Sequence, residues 1–245
     1  MVLALLLLGG APSAAQPADS LLTRGLTQLA NGVTHGDART VQQARALFER
    51  TTAADTHAAL SHYYVGLASY RLIDLVDDEA RSEAYMDDAQ MHLENALAQR
   101  PEWAEAEALL ALVYGRKAAG GMISGMRYGI KASRAMDRAR ESAPNNPRVL
   151  LASGISLYNT PSMWGGDTEA AIADLRASAE RFSAPAPGAL TPNWGHADAY
   201  AWLGIAYANT DRPAEARTAF ERALAVRPEY GWVEHVLLPG LAPAE

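Results

Sequence analysis

The chain has no cysteine among its 245 residues. That absence excludes disulfides, thiolate zinc centres, iron–sulfur clusters and cysteine nucleophiles. Basic residues are in deficit, 21 against 28 acidic ones, for a formal charge of −7. A duplex nucleic-acid binder needs a basic footprint, so that class is excluded as well. Neither HExxH nor GxSxG occurs, and the glycine groups at 120–125 and 165–166 follow no strand-like segment and fit no phosphate-binding fingerprint. Long apolar runs are missing except for Val2 to Leu8, far short of the roughly 20 residues that span a bilayer. What the chain does have is apolar residues at 49%, alanine spread evenly, and few β-branched side chains. That composition favours packed helices over sheet.

The apolar run is followed by Gly9, Gly10 and Pro12, and then by the small residues Ser13, Ala14 and Ala15 before Gln16. This order predicts a secretory signal peptide over 1–15, although no Lys or Arg precedes the run. The mature chain is then expected in the periplasm or secreted, and without cysteine it cannot be a lipoprotein.

Self-similarity organises the rest. Tyr200, Leu203, Gly204 and Tyr207 are followed by Ala216, Phe220, Ala223 and Pro228. Gly204 and Ala216 let two helices approach, Leu203 and Phe220 fill the space between them, and Pro228 stops the second helix. The turn 209–213 predicts Asp211 as N-cap and Pro213 early in the next helix. These spacings resemble the tetratricopeptide repeat, a helical hairpin of about 34 residues. The pattern recurs with longer gaps. Leu110, Ala111 and Tyr114 pair with Ala132, Met136, Ala139 and Pro144. Val65, Gly66 and Ser69 pair with Ala89, Leu93, Ala96 and Pro101. Gly154 and Leu157 pair with Ala171 and Leu175, and Gly25 and Gln28 with Ala44 and Phe48. The resemblance implies an all-α right-handed solenoid of about five lengthened hairpins, near 19–53, 59–101, 104–144, 147–183 and 197–230, with a cap over 231–245.

The extra residues fall inside hairpins. The helix-prone insert Ser69 to Asp88 predicts that both flanking helices lengthen, whereas the glycine-rich 120–125 predicts a loop or broken helix. Ala184 to Asn193, with three prolines, reads as an irregular linker. In 159–167, Asp167 is expected to cap the following helix, while Met163 and Trp164 are candidate apolar anchors at the edge of the stack.

Chemistry has few candidates. His57 and His62 are five apart and share no helical face, and Asp198 reads as a first-turn acid favoured by the helix dipole. No metal or cofactor and no catalytic residue is expected. Arg116, Lys117, Arg127, Lys131, Arg134, Arg138, Arg140 and Arg148 cluster around one hairpin, with Asp137 and Glu141 expected to pair with part of them.

In the family, first helices line a concave groove. Its positions carry over to Tyr63, Tyr70, Arg71, Arg116, Arg148, Tyr158 and Asn159, with Trp164 at the edge. The Lys and Asn clamp for a peptide carboxylate is missing, since Leu or Ile stands at its positions. The resemblance therefore implies a non-enzymatic envelope protein that docks a protein or peptide in this groove. An alternative is a periplasmic small-ligand binder, such as a partner of a TRAP-type transporter, taking an anionic or amphipathic ligand.

Overall fold

The computed structural model describes residues 18–53, 57–182 and 190–241. The expected signal peptide and most of the linker lie outside these residues. Ten α-helices make up the described chain: α1 (Ala18–His35), α2 (Ala38–Glu49), α3 (Ala58–Leu72), α4 (Glu79–Gln99), α5 (Ala104–Ala118), α6 (Met122–Ser142), α7 (Pro147–Asn159), α8 (Thr168–Arg181), α9 (His196–Ala208) and α10 (Pro213–Val226). A 3-10 turn, Ser162–Trp164, precedes α8, and a π-helical turn, Val233–Leu237, follows α10 as the cap. No strand occurs among the described residues. Consecutive helices pair into five antiparallel hairpins, and each second helix also packs on the first helix of the next pair. This is the expected all-α solenoid.

The hairpins owe their closeness to the glycines of the repeat pattern. A Cβ placed on Gly204 would stand 2.3 Å from Phe220 Cε1, and one on Gly25 would stand 2.4 Å from the same atom of Phe48. Leu175 and Leu93 crowd Gly154 and Gly66 in the same way. Ala44, Ala89, Ala171 and Ala216 are buried at the facing positions.

Helix starts follow side-chain capping. Asp37, Asp78, Asn146 and Asp167 accept hydrogen bonds from the backbone N–H of Arg39, Arg81, Arg148 and Ala170. Each such cap stabilises its helix by about 1 kcal/mol. Asp167 thus caps α8 as expected, but Asp211 does not cap α10. It takes a left-handed φ of 55°, and Arg212 occupies the cap position before Pro213.

The inserts resolve differently from the expectation. The Ser69 to Asp88 insert lengthens α4 to 21 residues while α3 stops at 15. The glycine-rich stretch is mostly helix. Only 119–121 turns, at Gly121 with φ 133°, and α6 then runs unbroken through Gly125 and Gly129. Each interior glycine costs about 1 kcal/mol of helix propensity. Packing of Tyr128, Ala132, Ala135, Met136 and Ala139 against the core outweighs it.

Candidate functional site

The concave side is not an open groove. The five hairpins curve so far that the C-terminal segment meets the start of the stack: a Cβ on Gly231 would lie 3.4 Å from the Thr34 carbonyl oxygen at the end of α1. The described end of the linker, 190–195, fills the centre of the curve. Trp194 Nε1 donates to the Tyr63 hydroxyl at 2.8 Å, and the Tyr64 hydroxyl donates to the Leu190 carbonyl at 2.7 Å. Arg148 donates to the Pro192 carbonyl.

The residues proposed to line the groove must be reassigned accordingly. Tyr63 is fully buried, stacked on Trp103 with ring centroids 4.4 Å apart. Burial pushes its phenol well above the ordinary range. Arg148 is buried between Phe182 and Trp194 and pairs with Glu105 at 3.1 Å. Neither presents anything to a partner. Tyr70 is half-buried, and loss of solvation pushes its phenol up to about 12. Tyr158 is half-buried against Trp202 and accepts from Asn209. Asn159 turns back on the Ile155 carbonyl at 2.8 Å, and Arg116, though exposed, pairs with Asp74.

Arg71 belongs to a clasp. It makes two parallel hydrogen bonds to Asp198 at 3.0 and 2.9 Å, joining α3 to α9. The Tyr230 hydroxyl donates to the same carboxylate at 2.9 Å, and Arg227 stands 4.0 Å away. Burial alone would raise the Asp198 pKa, but Arg71, then Arg227, with the Tyr230 hydrogen bond, hold it well below the usual carboxylate range. Asp198 is indeed in the first turn of its helix, yet its partners come from elsewhere in the stack.

The basic cluster is likewise mostly structural. Lys117, Arg138, Arg140 and Arg148 pair with Asp87, Glu107, Asp174 and Glu105 on neighbouring helices, not with Asp137 or Glu141. Arg127, Lys131 and Arg134 take part in no ion pair among the described residues. Arg127 and Lys131 lie over the Tyr128 ring.

Beside these three cations is an apolar stripe. Met122, Met126 and Ile130 recur every four residues along α6, with Ile123 next to them, and they are 84, 58, 58 and 80% exposed. Arg127 and Arg134 stand one turn beyond Ile123 and Ile130 on the same helix. Consecutive helices are antiparallel, so the tips of all hairpins share one edge of the stack. The 3-10 turn at the α7–α8 tip therefore puts Met163 (82% exposed) and Trp164 (72%) on the same edge as the start of α6. Of the proposed binding residues, Trp164 is the apolar one left free to dock.

A cavity of about 350 Å³ lies where α1 and α3 face α9 and the end of α10. Leu26, Leu29, Val33, Leu67, Trp194 and Val226 wall it, Ala30 lines it from an exposed position, and Thr34, Tyr64, Arg71, Asn193, His196 and Arg227 are its polar residues. Elsewhere, His62 Nδ1 and His92 Nδ1 are 2.8 Å apart, and burial lowers both their pKa values. Glu49, Asp88 and His92 bring ligand-type atoms within 4.8 Å of one another, but the Arg45 guanidinium already bridges the two carboxylates at 2.9 and 2.8 Å. That group is an ion-pair network between hairpins.

Fold and site together define a solenoid of helical hairpins closed on its own linker. Residues 197–230 match the family model for the tetratricopeptide repeat, and these hold the pattern Tyr200, Leu203, Gly204, Tyr207, Ala216, Phe220, Ala223 and Pro228. The last hairpin is thus a tetratricopeptide repeat. The fold of the chain is similar to that of TTC0263, a thermophilic tetratricopeptide-repeat protein of Thermus thermophilus, at 16% identity and TM-score 0.64 over 89% of this chain and 95% of that one. It is also similar to the HusA haemophore of Porphyromonas gingivalis, at 21% identity and TM-score 0.67 over 81% of this chain and 97% of the other. No curated protein matches the chain. Among the described residues no helix is long and apolar enough to cross a membrane.

Proposed function

We propose that this is a non-catalytic interaction protein of the bacterial cell envelope that docks its partner on the hairpin-tip edge. The observation that carries the proposal is the stripe of Met122, Ile123, Met126 and Ile130, exposed beside Arg127 and Arg134, which have no carboxylate partner among the described residues. Large exposed apolar patches on a soluble chain mark interaction sites. Cations beside the stripe, in a chain of charge −7, select a partner that carries acids next to its own apolar face. An acidic amphipathic helix laid along α6 meets both demands, and Trp164 supplies a further anchor. The repeat fold supports protein partners, and the apolar run with its small-residue site supports export.

A synthetic Leu/Glu amphipathic helix is the probe, titrated against the mature chain. The double variant Met126→Glu, Ile130→Glu is expected to weaken binding tenfold or more, with an unchanged melting temperature because both side chains are already in water. Added salt is expected to weaken the parent complex. Undiminished binding by the variant contradicts edge docking. Export is checked on the same protein recovered from its host: its first residue is expected to be Gln16, and cytosolic protein retaining Met1 contradicts it.

A second reading, that the chain carries a small ligand as a periplasmic partner of a TRAP-type transporter would, is favoured by the cavity at the α1–α9 seam. A haemophore shares the fold, so the fold is compatible with carrying a ligand.

A further inference from the structure

We propose that the cavity at the α1–α9 seam binds an amphipathic carboxylate, one anionic head on an aliphatic body. This rests on the small-ligand reading and names the ligand's chemistry. The volume of about 350 Å³ is at the lower end for ligand pockets, enough for a single aliphatic body. Leu26, Leu29, Val33, Leu67, Trp194 and Val226 offer that body an apolar wall.

The polar side of the cavity is one-sided. Two guanidinium groups line it and no carboxylate does. Asp198, behind the wall and 2% exposed, is the acid that faces them, and both of its oxygens are taken by Arg71. Arg227 reaches Asp198 only at 4.0 Å and otherwise lies over the Tyr230 ring at 4.7 Å. Its Nη1 is buried with no hydrogen-bond partner among the described residues. Two cations against one anion leave the seam with one positive charge in excess. A buried donor on a charged group left without an acceptor is among the costlier defects a fold carries. A carboxylate head set against the part of the Arg227 guanidinium that lines the cavity supplies the missing charge. Water in the cavity would leave the charge unbalanced and the Leu26 to Val226 wall wet. Asn193 adds an amide to the lining.

Decanoate is the test ligand and decanol its uncharged control, both titrated calorimetrically into the mature chain. Decanoate is expected to bind at one per chain, with decanol at least tenfold weaker. Arg227→Gln is expected to bring decanoate down to the level of decanol, and Arg227→Lys to lie between, because it keeps the charge and loses the fork. Arg71 still neutralises Asp198 in both variants, so their melting temperatures are expected to stay near the parent's. Ala30→Trp, which plugs the cavity from an exposed position, is expected to abolish binding of both ligands. Equal binding of decanoate and decanol, unmoved by Arg227→Gln, overturns the carboxylate assignment and leaves the carrier reading intact. Binding that survives Ala30→Trp overturns this cavity as the site. No binding of either ligand to the parent at millimolar concentration overturns both the site and the carrier reading.

Discussion

Asp198→Ala is expected to destabilise the protein by about 3–5 kcal/mol, the cost of removing one partner from a buried ion pair. The carboxylate is 2% exposed and receives two hydrogen bonds from Arg71 and one from Tyr230. Without it the Arg71 guanidinium has no counter-charge, and the link between the second and last hairpins is broken. The loss depends on pH in a defined direction. The folded carboxyl holds its proton less tightly than the unfolded one, whose pKa is about 3.9, so its contribution is complete at neutral pH. It fades as the pH falls below about 4. Urea denaturation is expected to show a large gap between parent and variant at pH 7 that narrows steadily towards pH 2. A gap of less than 1 kcal/mol at pH 7 would mean that the clasp does not close the stack. The double replacement Arg71→Met, Asp198→Leu is expected to recover part of the loss, because it removes the Arg71 charge together with its partner.

Gly204→Leu is expected to cost about 3 kcal/mol or more by overpacking the last hairpin, at the upper end for inserted methylenes. Even a lone Cβ at Gly204 would stand 2.3 Å from Phe220 Cε1 and 2.5 Å from its Cδ1. The ring cannot swing aside, since Phe220 is 1% exposed and held by the surrounding core. Either α9 and α10 separate or the ring leaves its rotamer, and the separation would carry Asp198 away from Arg71. Gly204→Ala is expected to be milder, and Phe220→Leu in that background to restore part of the stability by removing the crowding atoms. An unchanged denaturant midpoint for Gly204→Leu would contradict the close approach of the two helices.

The fold was legible because the repeat writes its packing into spacing. A glycine on a first helix facing a large side chain on the second recurs at Gly25 and Phe48, Gly66 and Leu93, Gly154 and Leu175, and Gly204 and Phe220. The cap at Asp167 and the stop at Pro228 were readable for the same reason, as local chemistry with local partners. The candidate site was much less legible. Asp198 in a first turn looks the same in sequence whether it meets only the helix dipole or Arg71, 127 positions away. Trp194 sits in an irregular stretch with no period, so nothing local says that it fills the concave side and buries Tyr63. That one side chain turns an expected docking wall into core. The α6 stripe did leave a signal, the four-residue spacing of Met122, Met126 and Ile130. The neighbouring glycines Gly120, Gly121 and Gly125 pointed instead to a loop, because glycine's intrinsic cost says nothing about the packing that outweighs it.

The concave side of the solenoid is core, and the hairpin-tip edge is the open surface. The absence of native cysteine makes that division directly measurable, because a single introduced thiol reports only its own site. Leu151 is 1% exposed on the concave side, close to Gly195, and Met126 is 58% exposed on the edge. Labelling rates of Leu151→Cys and Met126→Cys are to be compared in native buffer and in denaturant. The thiol at 126 is expected to react equally fast in both, while the thiol at 151 is slowed at least a hundredfold in the native protein. Equal and rapid native labelling at both positions would contradict a filled concave side and restore the groove as the docking surface.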